Sequence, residues 1–61
     1  MLETDLMTRE EMAEFVRWFD ENIGTEREVN EDEPGRFYVV VFELTPAEEK
    51  KVLKFLEELK R

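Results

Sequence analysis

The sequence predicts a small α+β domain in the order β-α-β-β-α, in which a three-stranded sheet carries two helices on one face. Two segments repeat apolar residues with helical spacing, and a third, between them, is β-branched and aromatic almost throughout. A chain of 61 residues suffices for one such domain. We therefore expect a single domain over residues 1–61, with strands near 2–6, 25–30 and 36–44 and helices near 8–23 and 46–60.

The first strand is predicted by alternation close to the N-terminus. Leu2, Thr4 and Leu6 alternate with Glu3 and Asp5, and a period of two is typical of a strand with one buried face.

The first helix has a start signal, an apolar stripe and a stop signal. Thr8 followed by Glu11 forms a capping box, in which each side chain bonds the other residue's backbone N–H. Gly24 stands where a left-handed residue ends many helices. The apolar stripe between them consists of Met12, Phe15, Val16, Phe19 and Ile23.

The second strand is expected at residues 25–30, where Val29 is the single apolar anchor. The charges of Glu26, Arg27 and Glu28 suit an exposed edge strand, because charged side chains discourage pairing with other chains. Residues 30–35 contain Asn, Asp, Pro and Gly, which predicts a turn.

The third strand, residues 37–44, is apolar on both alternating faces, which predicts a central position in the sheet. A right-handed crossover from the first strand to the second leaves room for the third between them, antiparallel to both. This arrangement resembles a ferredoxin-like fold that lacks its last strand. The resemblance concerns architecture and implies no function.

The second helix repeats the scheme of the first. Thr45 is the expected cap, Pro46 the first helical residue and Glu48 the partner in a capping box. Lys60 and Arg61 place positive charge at the end of the helix. The apolar stripe consists of Val52, Phe55, Leu56 and Leu59, widened by Leu53.

The sheet face away from the helices is the candidate recognition surface. We expect Tyr38, Val40, Phe42 and Leu44 to point at the helices. The residues then expected to point away are Phe37, Val39, Val41 and Glu43. The acids expected to surround them are Glu3, Asp5, Glu26 and Glu28. An apolar centre with an acidic rim suits a protein partner or a homodimer. Alternatively, the apolar residues reflect strand propensity and are partly covered by neighbouring side chains.

Trp18 lies about 120° from the centre of the first apolar stripe. It is a candidate interface anchor, because tryptophan is enriched where binding energy concentrates. The alternative is packing along the margin of the core.

The composition argues against an enzyme. The chain has no Cys, His or Ser, which removes the thiol nucleophile, the commonest general base and the usual acyl-transfer nucleophile. Glu10, Glu11 and Glu14 lie opposite the first apolar stripe, where they are expected to face water. We expect no catalytic residues and no cofactor.

Metal ligands and membrane segments are not indicated. Residues 31–33 offer three carboxylates, but their spacing is not that of an EF-hand loop, and a solvated acidic turn is the expected role. The longest apolar run is six residues, 37–42, and the N-terminus lacks a basic segment followed by an apolar one. We expect a soluble, cytoplasmic-type protein with no metal and no membrane association.

Nucleic-acid binding is opposed by the charge distribution. Residues 35–42 resemble the aromatic strand of an RNA-recognition motif, but Tyr38 and Val39 depart from that pattern. The net charge is -9 over residues 1–35 and +1 over residues 36–61, so the first half would repel phosphates.

The acidic first half suggests instead a small inhibitor or adaptor that binds a basic protein by imitating nucleic acid. The carboxylates that would do so are Glu3, Asp5, Glu26, Glu28, Glu31, Asp32 and Glu33.

Agreement between caps, charges and strand composition is typical of an idealised sequence. Residues 45–61 in particular resemble the helices of computationally designed miniproteins. That resemblance implies a thermostable folding scaffold without catalytic activity, which binds at most a protein partner. A hyperthermophile protein shares the excess of Glu over Gln and Ser, so both origins remain open.

Overall fold

The computed structural model describes residues 1–60 and confirms the predicted β-α-β-β-α order. Arg61, expected to add a base at the end of the second helix, lies outside the described residues. The elements are β1 Leu2–Glu3, α1 Arg9–Asn22, β2 Arg27–Glu33, β3 Arg36–Val41 and α2 Pro46–Leu59.

The sheet has the strand order β1-β3-β2, and β3 pairs antiparallel with both neighbours. This confirms the prediction that the third strand is central. β1 and β2 are therefore the two edges of the sheet.

β1 is shorter than predicted because it bulges after Glu3. Leu2 pairs with Val41, but Met7 pairs with Phe37, which leaves one extra residue on the β1 side. A bulge exchanges the faces of the residues on either side of it. Met7 is consequently buried, whereas Leu6, predicted to share a face with Leu2, is 43% exposed.

The β2–β3 hairpin corrects the predicted turn over residues 30–35. β2 continues to Glu33, and the connection is the dipeptide Pro34-Gly35. Gly35 has φ +81°, and proline followed by a residue of positive φ matches a type II turn. β2 has one residue more than β3 in this hairpin. That residue is Asp32, which forms a bulge between the Glu31–Phe37 and Glu33–Arg36 pairs.

Both helices have the predicted capping boxes. The hydroxyl of Thr8 accepts the Glu11 N–H at 3.2 Å, and a Glu11 carboxylate oxygen accepts the Thr8 N–H at 2.8 Å. Thr45 and Glu48 make the same two bonds at 3.2 and 2.9 Å. Gly24 has φ +75° and follows α1 as expected.

The core occupies one side of the sheet, and its orientation is opposite to the prediction. Val39 and Val41 are fully buried and Phe37 is 6% exposed, whereas Phe42 is 37% exposed. The β3 side chains expected to point away from the helices therefore face them. The buried apolar cluster comprises Met7, Phe15, Phe19, Phe37, Val39, Val41 and Val52.

The helical stripes supply three further members of this cluster. Phe15 and Phe19 of α1 and Val52 of α2 are buried, as expected from their spacing. Leu53, expected to widen the α2 stripe, is 51% exposed, because it lies at the margin of the helix face that packs on the core.

Candidate interaction surface

The open face of the sheet is formed by Tyr38 and Val40 of β3, which alternate with the buried residues, and by Phe42 directly after the strand. Tyr38 and Val40 are half-buried and Phe42 is exposed. These three side chains, rather than Phe37, Val39 and Val41, form the apolar centre of the candidate surface. Sequence reasoning missed them because both alternating faces of β3 are apolar. One signal favoured the observed orientation: a buried tyrosine needs a partner for its hydroxyl, and the open face leaves that hydroxyl accessible to water.

Three of the predicted acids do lie beside this apolar centre. Val40 pairs with Glu3 on one side and Glu28 on the other, so a glutamate flanks it in each neighbouring strand. Glu26 accepts the Phe42 N–H through its carbonyl at 3.5 Å, which places it opposite that phenyl ring. Residues directly opposite on adjacent strands share a face. The predicted pattern of an apolar centre with an acidic rim is thus present, but its centre is Tyr38, Val40 and Phe42.

Asp5 is placed differently from the other predicted acids. Its carboxylate lies 2.9 Å from the Lys60 ammonium beyond the end of α2. The bulge in β1 removes Asp5 from the regular alternation. The pair with Lys60 directs its carboxylate toward α2 instead of the centre of the open face.

Trp18 packs between the two helices. Its ring stacks on Phe55 with 4.4 Å between ring centroids and 9° between planes, and Phe15 lies 6.2 Å away. This geometry matches the alternative of packing at the margin of the core. The stacked pair forms one wall of a groove of about 500 Å³. The other lining residues are Glu14, Arg17, Glu21, Glu58 and Leu59.

A bidentate ion pair ties β2 to α1. Arg27 donates to both carboxylate oxygens of Asp20, at 3.2 and 2.8 Å. This hydrogen bonding lowers the pKa of the Asp20 carboxyl; desolvation opposes the effect, and the Arg27 charge adds to it. The pKa of Arg27 is raised for the same reason. Arg27 therefore remains positive, and its charge is already engaged within the chain.

Two of the carboxylates considered for chemistry, Glu11 and Glu31, have structural partners. Glu11, one of the three neighbouring acids on α1, is bonded in the capping box. Glu31 accepts the Gly35 N–H at 3.0 Å, which closes the β2–β3 turn. Within residues 1–60, no group of three acidic side chains is arranged to hold a metal ion.

Thr4 has a structural role in the sheet that the alternating strand pattern did not predict. It is 7% exposed, and its hydroxyl accepts the Val39 N–H at 2.9 Å while donating to the Asp5 carbonyl at 3.1 Å. The side chain replaces a backbone acceptor at the bulge, so the central strand stays fully bonded there.

Comparison of the chain with models of protein families, with curated proteins and with solved structures finds no match. In the part of the chain that the structure describes, neither helix has the length and apolar character to cross a membrane.

Proposed function

We propose that this chain is an idealised folding scaffold, of the kind that computational design produces, with no catalytic activity of its own. The observation that carries the proposal is agreement between local signals and the whole fold. Both predicted capping boxes have formed, and no buried side-chain nitrogen or oxygen atom within residues 1–60 lacks a hydrogen-bond partner. Such consistency across levels is what design imposes on a sequence.

The arrangement of polar groups supports a role without chemistry. Two of the candidate acids have structural roles: Glu11 caps a helix and Glu31 closes a turn. The groove beside Trp18 is open to solvent and combines an aromatic pair with the carboxylates of Glu14, Glu21 and Glu58. Active sites, in contrast, usually lie in enclosed, mostly apolar clefts with a few convergent polar groups.

Thermal unfolding tests the scaffold proposal. We expect reversible two-state unfolding with a midpoint well above ~65 °C, the upper end for ordinary mesophile domains. Circular dichroism and calorimetry on the same sample supply the two transition enthalpies that a two-state process requires to agree. A midpoint below ~60 °C, or a broad transition with unequal enthalpies, would contradict the proposal.

A second candidate function is that of a small acidic adaptor or inhibitor that binds a basic protein. It is favoured by Glu3 and Glu28 on either side of Val40 and by the net charge of -9 over residues 1–35. Complementary charge accelerates association and fixes orientation between proteins.

Salt dependence against protamine, used as a basic probe, tests the adaptor function. We expect affinity to fall steeply between low and physiological salt, because exposed charges are screened. Glu28→Gln on the open face should weaken binding several-fold, whereas Glu49→Gln in the first turn of α2 is the matched control and should not. Equal effects of the two variants, or affinity independent of salt, would count against this function.

A further inference from the structure

The outer edge of β2 is unpaired, and the strand is long enough for another strand to pair with it. β2 spans seven residues and is the last strand of the sheet, with β3 on its inner side. β3 is its hydrogen-bonded neighbour, and the Arg27–Asp20 ion pair links it to α1. Three of its backbone units are directed outward, as the hydrogen bonds of the neighbouring strands show.

The pairing fixes which backbone groups point outward. The Phe42 N–H reaches the carbonyl of Glu26, so Glu26 turns its backbone toward β3. Along an antiparallel pair, residues that bond the neighbour alternate with residues that do not. Glu28 and Asn30 therefore bond β3. Arg27, Val29 and Glu31 direct their N–H and C=O groups away from the sheet.

The side chains along this edge are mainly acidic. Residues 26–33 contain five acids and one base, and the base, Arg27, is paired with Asp20 at 2.8 Å. Glu26 and Glu28 lie on the open face, while Val29 lies on the helix face beside the core. A strand that docks here meets the carboxylates of Glu26 and Glu28 on one side, and on the other it meets Val29, which lies between Arg27 and Glu31.

We propose that the β2 edge binds an extended basic segment of a partner protein by strand addition. This inference rests on the adaptor function and specifies how the partner docks. The register defines the partner's pattern: basic side chains on the open face beside Glu26 and Glu28, and an apolar side chain on the helix face beside Val29. A segment that alternates lysine and valine has this pattern, since successive residues of a strand point to opposite faces.

A second copy of the chain fits this edge less well. Antiparallel pairing centred on Val29 would place Arg27 opposite Glu31 of the copy, but Arg27 is already engaged by Asp20. The same register places Glu26 opposite Asp32 and joins two chains of net charge -8. Like charges directly opposite on neighbouring strands are unfavourable. Charge therefore selects a basic partner.

Amide hydrogen exchange on the full chain tests the proposal, with a nine-residue peptide of alternating lysine and valine as the probe. In the free protein, we expect rapid exchange at Arg27, Val29 and Glu31 and slower exchange at Glu28 and Asn30, which already bond β3. Saturating peptide should slow the first three at least ~tenfold, because their N–H groups become bonded.

Two controls separate strand addition from simple charge attraction. The same peptide with alternate backbone nitrogens methylated keeps its charge but lacks donors on the docking side, and it should bind at least ~tenfold more weakly. Val29→Pro removes one outward N–H from the protein and should weaken binding similarly. Proline is tolerated at such an edge position, and circular dichroism checks that the variant folds.

The outcomes are distinct. Tight, salt-sensitive binding that leaves the three outward amides unprotected, or that is unaffected by peptide methylation, overturns strand addition and leaves the adaptor function standing. No binding of the peptide at ~1 mM overturns the inference as well. Protection of the same amides without peptide, at rising protein concentration, would identify a second copy as the occupant and also overturns it.

Discussion

At the scale of single residues, Thr4 shows how a side chain completes a backbone ladder. Its hydroxyl accepts the N–H of Val39, the most central residue of the core strand, within a buried environment. The alternating pattern of residues 2–6 predicts only that Thr4 shares a face of the strand with Leu2 and Leu6. The hydrogen bond arises only because β1 bulges, a feature that depends on tertiary pairing and leaves no local signature.

Replacing Thr4 with valine should destabilise the fold despite nearly equal volume. The Val39 N–H would stay buried without an acceptor, which costs about 1–3 kcal/mol. Thr4→Ser keeps the hydroxyl and loses one methyl group, so it should cost only about 1 kcal/mol. Chemical denaturation measures both values. A valine variant as stable as the serine variant would show that the hydroxyl does not support the sheet.

The Asp20–Arg27 pair predicts a defined pH dependence. Because the pKa of Asp20 is lowered in the folded state, its stabilising contribution is complete above the carboxyl's ordinary pKa of about 3.9 and disappears as pH falls through the lowered value. Titration of the Asp20 carboxyl by ¹³C NMR should therefore show a midpoint below its ordinary value. Arg27→Leu should return the midpoint to that value, and an unchanged midpoint would contradict the pair's role.

At the scale of elements, the helices were predictable because their signals are local. Thr8 with Glu11 and Thr45 with Glu48 lie within one turn of the helix ends they define. The strands were less predictable, because their faces depend on register. The bulge at Asp32 places Val29 opposite Val39. Without it, the Glu33–Arg36 pair would place Val29 opposite Val40. A single residue thus decides which face of the hairpin is buried.

Removal of a helix cap is expected to have a modest and similar cost at both helices. Thr45→Ala leaves the Glu48 N–H without its side-chain acceptor and should lower the free energy of unfolding by about 1 kcal/mol. Thr8→Ala should do the same for α1. Thr45→Ser retains the hydroxyl and serves as the control. Urea denaturation resolves these differences, and an alanine variant equal to wild type would show that the box contributes nothing measurable.

At the scale of the whole molecule, the fold separates two surfaces of the same strand. The side of β3 that carries Val39 and Val41 is closed by the helices, while the side that carries Val40 is open and flanked by Glu3 and Glu28. The acidic rim was predictable, because the composition of both edge strands shows it. The identity of the apolar residues inside it was not, because Val39 and Val40 are indistinguishable without the pairing register.

Two lysine substitutions at adjacent positions test this separation. Val39→Lys places an ammonium in a fully buried site within the apolar cluster, and should cost at least ~4 kcal/mol, enough to unfold a domain of this size. Val40→Lys places the same group between two glutamates on the open face and should change stability by less than ~1 kcal/mol. The two variants make the same Val-to-Lys change at adjacent positions, so they differ only in the face of β3 that carries the lysine. Circular dichroism and denaturant unfolding distinguish the variants, and a folded Val39→Lys beside an unfolded Val40→Lys would reverse the assignment of the two faces.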